Sequence, residues 1–166
     1  MNYSIVSETK NDPYAVLQPI MEAAYTKWPT HGRYSDFLFE IGGVEKYVVL
    51  IGNLNYQVCN GGFTQWVDNG YGRHWQDVLR VLEKVGTDTA KRVAMLVEKV
   101  GKQLRYNSRG VLDFSNTTSR SFYSDDDGDS EDEWPDFSAE DDAFYAINDQ
   151  LLIDMAAFVQ SQGTTA

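Results

Sequence analysis

The sequence predicts an all-α protein, a single-domain helical bundle with a long acidic loop before the last helix. Several segments repeat apolar residues at the three- and four-residue spacing of an amphipathic helix. Glycine, asparagine and proline separate these segments. The 166 residues are 42% hydrophobic and 13% aromatic, which is enough for one substantial core. We therefore predict one domain over residues 1–160 and a disordered tail over 161–166.

The first predicted helix begins at Asp12 and Pro13, because Asp caps helices and Pro suits their first turn. Apolar residues then follow at helical spacing as far as Trp28. Pro19 lies inside this pattern and predicts a kink or a break. A short second segment, 36–40, carries three apolar residues and is followed by an interruption at Gly42-Gly43.

A long apolar stretch, Val44 to Cys59, predicts a buried central helix. Asn60-Gly61-Gly62 follows it, and these residue types tolerate the positive φ found at helix ends. Phe63 and Trp66 are three residues apart and fit one face of a short next helix. This stretch is therefore interpreted as a helix–turn–helix corner.

Two amphipathic segments form a predicted helical hairpin. The first is 73–85, with Gly86 as its C-cap, and Thr87 caps a second whose apolar stripe is 93–104. The stripe of residues 143–159 predicts the last helix. Residues 105–123 lose the helical pattern and are expected to be loop.

Charge is distributed very unevenly along the chain. There are 25 acidic and 14 basic residues, giving a net charge of −11. Residues 121–166 contain 13 acids and no Lys or Arg, whereas residues 1–120 carry a small positive excess. This charge would repel phosphate, so direct nucleic-acid binding is not expected. No cofactor is expected either, because no phosphate loop or cofactor motif is present.

The acids concentrate in one segment, residues 125–142, where 11 of 18 residues are carboxylates. One interpretation is a solvated loop that only improves solubility. A second is a calcium site, but an EF-hand register would place Tyr123 and Trp134 at the first and twelfth ligand positions, where carboxylates are required. No dedicated metal site is therefore predicted.

The third interpretation is a surface that imitates nucleic acid. Duplex DNA carries about one charge per 1.7 Å of axis. Eleven carboxylates on a helix about 27 Å long would give roughly one per 2.5 Å, which approaches that density. The candidate phosphate-mimicking acids are Asp125, Asp126, Asp127, Asp129, Glu131, Asp132, Glu133, Asp136, Glu140, Asp141 and Asp142. Trp134 is a candidate anchor, either in the core or in a partner, as is Phe137.

A resemblance to a known family supports this interpretation. Val58-Cys59-Asn60-Gly61-Gly62-Phe63-Thr64-Gln65-Trp66 resembles the N-N-G-G-F-x-Q-[FW] signature of a family of small acidic bacterial proteins first described as DNA-mimic proteins. The likeness covers roughly residues 44 to 160. It implies an all-α bundle, and it implies binding to a DNA-binding protein such as a transcription regulator.

Signals for other classes of protein are weak. The two histidines, His31 and His74, belong to no recognisable catalytic or metal motif, and we expect no enzyme. The single cysteine, Cys59, excludes an intrachain disulfide and is expected to be buried and inert. The chain start lacks signal-peptide features, and no apolar run approaches the roughly 18 residues of a membrane span, so a cytoplasmic protein is expected.

The sequence thus favours a DNA-mimic protein whose acidic surface occupies the DNA site of a basic DNA-binding protein. An immunity or inhibitor protein directed at a specific toxin or nuclease is the first alternative. A small metal-binding protein or enzyme is the second. A homodimer is compatible with all three.

Overall fold

The computed structural model describes residues 12–106, 112–113 and 135–163. This part of the chain is built from α-helices, as predicted. They are α1 (Pro13–Tyr25), α2 (Tyr34–Glu40), α3 (Gly43–Asp68), α4 (Trp75–Val85), α5 (Asp88–Gly101), α6 (Ser138–Tyr145) and α7 (Asn148–Gln162). A 3-10 helix, Tyr71–His74, precedes α4.

Helix α1 starts as the sequence predicts and continues where a break was predicted. The Asp12 carboxylate accepts a hydrogen bond of 2.9 Å from the Tyr14 N–H, and Pro13 is the first helical residue. The helix runs unbroken through Pro19, so of the predicted kink or break the break is wrong. Pro19 and Ala15, whose carbonyl loses its helical partner, both face solvent. Water can satisfy that carbonyl.

Helix α3 forms the centre of the bundle and changes direction at the predicted corner. Gly61 and Gly62 have non-helical backbone angles inside it, and the φ of Gly62 is +72°. Residues on both sides of this kink are buried, including Leu54, Phe63 and Trp66. The central helix and the corner after it are therefore confirmed.

The predicted hairpin of α4 and α5 is confirmed as well. Gly86 adopts the left-handed conformation, with φ of +71°, at the end of α4. The Thr87 hydroxyl accepts a 3.1 Å hydrogen bond from the Ala90 N–H and caps α5. The N-terminal residues of the predicted first segment form the 3-10 helix instead.

The C-terminal part differs from the predicted single helix over 143–159. Two helices, α6 and α7, meet at Ala146 and Ile147, and α6 begins five residues earlier than predicted. Ile147 leaves the helical conformation and is buried. Helix α7 continues to Gln162, three residues past its predicted end.

A short antiparallel pair forms within the region expected to be loop. Strand β1 (Arg105–Tyr106) pairs with β2 (Leu112–Asp113). This two-residue ladder does not alter the all-α class. The predicted acidic loop falls largely outside the described residues, which resume only at Pro135.

The core lies around α3, which packs against α1, α4, α6 and α7. At one end, stacked rings join the segment after α1 to α2: the Trp28 and Phe37 centroids are 4.5 Å apart. Beside them, the Tyr25 hydroxyl donates to Asn53 Oδ1, and Asn53 Nδ2 donates to the Tyr34 oxygen. The buried amide of Asn53 is therefore satisfied between two tyrosines.

Candidate partner-binding site

The predicted site is divided between described and undescribed residues. Seven of its acids and the candidate anchor lie outside the described residues: Asp125, Asp126, Asp127, Asp129, Glu131, Asp132, Glu133 and Trp134. The four remaining acids lie in helix α6 or just before it. They have different environments and are described in turn.

Asp136 is exposed and lies two residues before Ser138, where α6 begins. Its Oδ1 accepts hydrogen bonds from the Ser138 N–H at 2.9 Å and from the Ser138 hydroxyl at 2.5 Å. These bonds hold the pKa of Asp136 below its usual value, because they favour the charged carboxylate. Asp136 therefore helps to begin the helix and still presents its charge to solvent.

Glu140 is buried, with only 4% of its surface exposed. Its carboxylate pairs with the ammonium group of Lys99 on α5. A buried carboxylate requires such a partner, because transfer from water into the protein is costly. The pair ties α6 to α5 and leaves little of this carboxylate for a partner.

Asp141 joins α6 to the corner of α3. Its Oδ1 accepts a 2.7 Å hydrogen bond from the N–H of Phe63, the first residue after Gly62. Burial raises the pKa of Asp141, the bond from Phe63 opposes this, and the neighbouring charges of Glu140, Asp142 and Asp136 raise it further. The four carboxylates are thus close enough to influence one another.

Gly62 is suited to this contact for two reasons. Its positive φ disfavours any side chain, and a Cβ at this position would overlap the Asp141 carboxylate. Sequence reasoning assigned Gly62 to a turn and Asp141 to a surface, and it missed their connection. No local pattern indicates it, because the bond joins residues 78 positions apart.

Phe137 fixes the end of the acidic segment to the bundle. Its side chain is 2% exposed, so the interpretation of this aromatic as a core anchor is confirmed. Phe137, Glu140 and Asp141 together attach α6 to the core. Asp142 faces solvent, as does Asp136.

Other polar residues of the corner have structural partners. Gln65 and Asn69 both donate to Oε1 of Gln57, at 2.9 and 2.7 Å. Gln57 is buried and lies in the part of α3 before the kink. These bonds hold the two parts of α3 together across the kink, in agreement with a structural role for the signature.

One group has the residue types of a hydrolase triad. Ser35 Oγ lies 2.9 Å from His74 Nε2, and His74 Nδ1 lies 3.5 Å from Asp77 Oδ2. The second distance is longer than usual for a hydrogen bond, and Asp77 lies closer to Arg80, at 2.6 Å. Burial is the main reason that the pKa of His74 is lowered. The group links α2 to α4.

Cys59 is exposed, so the prediction of a buried thiol is wrong. It lies on the outer face of α3 just before the kink, where Asn148 Nδ2 approaches its sulfur at 3.3 Å. The apolar neighbour Val58 points to the core, and the next position along a helix faces elsewhere. Partial burial raises the pKa of this thiol.

The described residues contain no cluster of three or more His, Cys, Asp or Glu side chains arranged to hold a metal ion. Across the same ranges, every helix is too short or too polar to cross a bilayer.

The fold and site together define a small helical bundle with a strongly acidic C-terminal region. A family model, described as DMP19-like protein, matches residues 40–162. The chain belongs to the DMP19-like family. The matched region includes the corner of α3, the α4–α5 hairpin and both C-terminal helices. No curated protein and no solved structure gave a significant match.

Proposed function

We propose that this protein is a DNA mimic: it binds a basic DNA-binding protein, such as a transcription regulator or nuclease, and blocks its DNA site. The observation that carries the proposal is the separation of charge. Residues 121–166 contain 13 acids and no compensating Lys or Arg. Membership of the DMP19-like family, a family of DNA mimics, supports the same activity.

The acids that face solvent would stand in for phosphates. In the described part these are Asp136 and Asp142, and the proposed surface extends through the acids of 125–133. Glu140 and Asp141 contribute differently. They are engaged by Lys99 and Phe63, so their proposed role is to hold α6 in place and add to the local negative potential.

A fixed α6 matters because of the energetics of association. A charged segment that is ordered only on binding loses conformational entropy at that step, whereas an attached one has lost part of it already. Phe137, Glu140 and Asp141 provide this attachment at one end of the acidic segment. The partner would gain affinity from counterion release, as it does with DNA.

No catalytic activity is proposed. Asp77 lies closer to Arg80 than to His74, so the Ser35–His74–Asp77 group is a link between helices. Inhibition of a specific toxin or nuclease is compatible with the same surface. The identity of the partner distinguishes this function from regulation of a DNA-binding protein.

Affinity capture from the native host, followed by elution with duplex DNA, tests the proposal. The expected result is a basic DNA-binding protein that DNA displaces at constant ionic strength. A matched control column carries a variant in which Asp125, Asp126, Asp127 and Asp129 are changed to Asn, and it should retain much less of that protein. A captured protein that DNA leaves in place would contradict mimicry.

A further inference from the structure

A cavity lies between α1, α3 and α7. Its volume is about 520 Å³, within the usual range for small-molecule sites. The walls are mainly apolar and include Leu17, Met21, Val48, Leu152 and Met155. Gly52 forms part of the α3 wall, and a side chain there would press on the Met21 sulfur, 2.6 Å from its Cβ.

One polar side chain in this wall, the amide of Asn55, has a donor group with no acceptor among the described residues. Asn55 is 9% exposed, and its Oδ1 receives only a weak contact from the Cys59 thiol at 3.7 Å. Among the described residues, none accepts a hydrogen bond from Asn55 Nδ2. A buried amide donor favours an acceptor beside it, and a ligand in the cavity would supply one.

Two tyrosines of the lining remain open to solvent. Tyr14 and Tyr56 are 55% and 63% exposed, although both contribute to the cavity wall. A flat apolar ligand would cover part of these rings and bury its own surface against the methionines. Glu22 is the one charged residue among the described residues of the lining, and the chain is strongly acidic, so an anionic ligand is disfavoured.

We propose that this cavity binds a neutral, largely aromatic small molecule whose carbonyl oxygen accepts a hydrogen bond from Asn55 Nδ2. The acceptor requirement follows from the buried amide, and the neutral, flat body follows from the apolar walls and Glu22. This inference does not rest on the proposed mimicry.

The neutral naphthyl ketone prodan is a suitable probe, because it carries a carbonyl on a flat apolar ring system and its emission shifts to the blue in an apolar site. We expect saturable binding to the full chain with one-to-one stoichiometry. In an NMR titration, the side-chain amide resonance of Asn55 should move. Absence of either result overturns the proposal.

Two variants separate the cavity from its polar group. Gly52→Leu should fill the cavity and weaken prodan binding at least tenfold. Asn55→Ala should weaken it about threefold to tenfold, the effect of one lost hydrogen bond. The matched control is Phe39→Ala, which removes a ring that is 87% exposed on α2 and should leave binding unchanged.

Circular dichroism of each variant establishes that it is folded. A folded Gly52→Leu protein that binds prodan as well as wild type overturns the proposal, as does an unchanged affinity in Asn55→Ala. Other occupants have their own signatures. Tighter binding in an Ile5→Ser, Val6→Ser variant would assign the cavity to the N-terminal segment of the chain. If prodan binding weakened as the protein self-associated at high concentration, the cavity would be assigned to a second copy of the chain.

Discussion

The carboxylate of Asp141 accepts a hydrogen bond from the backbone N–H of Phe63, at 2.7 Å, across 78 positions of sequence. The bond satisfies the N–H of the first residue after the kink at Gly62, where the helical conformation resumes. It therefore acts as an N-cap supplied by a different helix. Through it, the corner of α3 and the end of the acidic segment stabilise each other.

Replacing Asp141 with Ala should destabilise the protein by about 0.5–2 kcal/mol, the usual cost of losing a cap. Asp141→Asn keeps an acceptor oxygen and should lose less. Urea denaturation of both variants measures the difference. Equal stability of wild type and Asp141→Ala would mean that the bond contributes nothing.

The pH dependence of Asp141 has a definite sign. Because burial raises its pKa in the folded state, the folded protein binds this proton more tightly than the unfolded chain does. The contribution of Asp141 to stability therefore decreases as pH rises through the range just above the ordinary carboxyl pKa of about 3.9. Wild-type stability should fall relative to Asp141→Asn over this range; a relative rise would contradict the assignment.

Gly62→Ala should destabilise the protein by about 1–3 kcal/mol, because Ala disfavours a φ of +72°. Gly42→Ala is the control: its φ is −142° and its Cβ would meet nothing within 4 Å. The overlap with Asp141 can be separated from backbone strain by a double-mutant cycle. Gly62→Ala should cost less in an Asp141→Ala background, and strictly additive effects would exclude a contribution from the overlap.

Lys99→Met should destabilise the protein by about 1–3 kcal/mol, since it leaves the buried Glu140 carboxylate without its partner. Lys91→Met removes one partner of an exposed ion pair with Asp88 and should cost less than about 1 kcal/mol. Thermal unfolding compares the two. Similar losses in both variants would show that the burial of Glu140 has no special energetic consequence.

Cys59 should react with a thiol reagent in the folded protein, because its side chain is exposed. Its raised pKa keeps the thiol protonated, so the reaction rate should continue to increase above pH 8.5, the ordinary midpoint for cysteine. If the folded protein did not react and the thiol became reactive only on unfolding, the interpretation of a buried thiol would be restored.

The sequence predicted those features that depend on neighbouring residues. The apolar stripes of α4 and α5, the cap at Gly86 and the corner at Gly62 are all local patterns, and the structure has each of them. The break predicted at Pro19 does not occur, because packing between helices is not visible in a local pattern. A proline costs a helix one hydrogen bond, but packing of α1 on α3 and α7 outweighs a cost that falls on the solvent face.

The environments of the acids could not be predicted. A carboxylate in an acidic run is expected to face water, and nothing near Glu140 in the sequence indicates that Lys99 will meet it. The same holds for Asp141, whose partner is a backbone group of α3. Such pairings arise from the packing of distant helices and have no local signature.

Neutralising the acidic segment tests mimicry most directly. The variant changes Asp125, Asp126, Asp127, Asp129, Glu131, Asp132 and Glu133 to Asn or Gln, and relief of repulsion should leave its thermal stability level or slightly higher. The smaller variant, in which four acids are changed to Asn (Asp125, Asp126, Asp127 and Asp129), has a matched control. In the control, four exposed acids elsewhere are neutralised instead: Glu40, Asp68, Glu83 and Asp149.

The decisive measurement is the affinity of these variants for the captured DNA-binding protein, by calorimetry at several salt concentrations with and without duplex DNA. The account predicts that wild-type affinity falls steeply with salt, because exposed charges are screened beyond about 8–10 Å. It predicts a loss of more than tenfold for the seven-residue variant, a smaller loss for the four-acid control than for its matched variant, and competition by DNA. Undiminished binding by the neutralised protein, or a complex that holds DNA and this protein together, would contradict it.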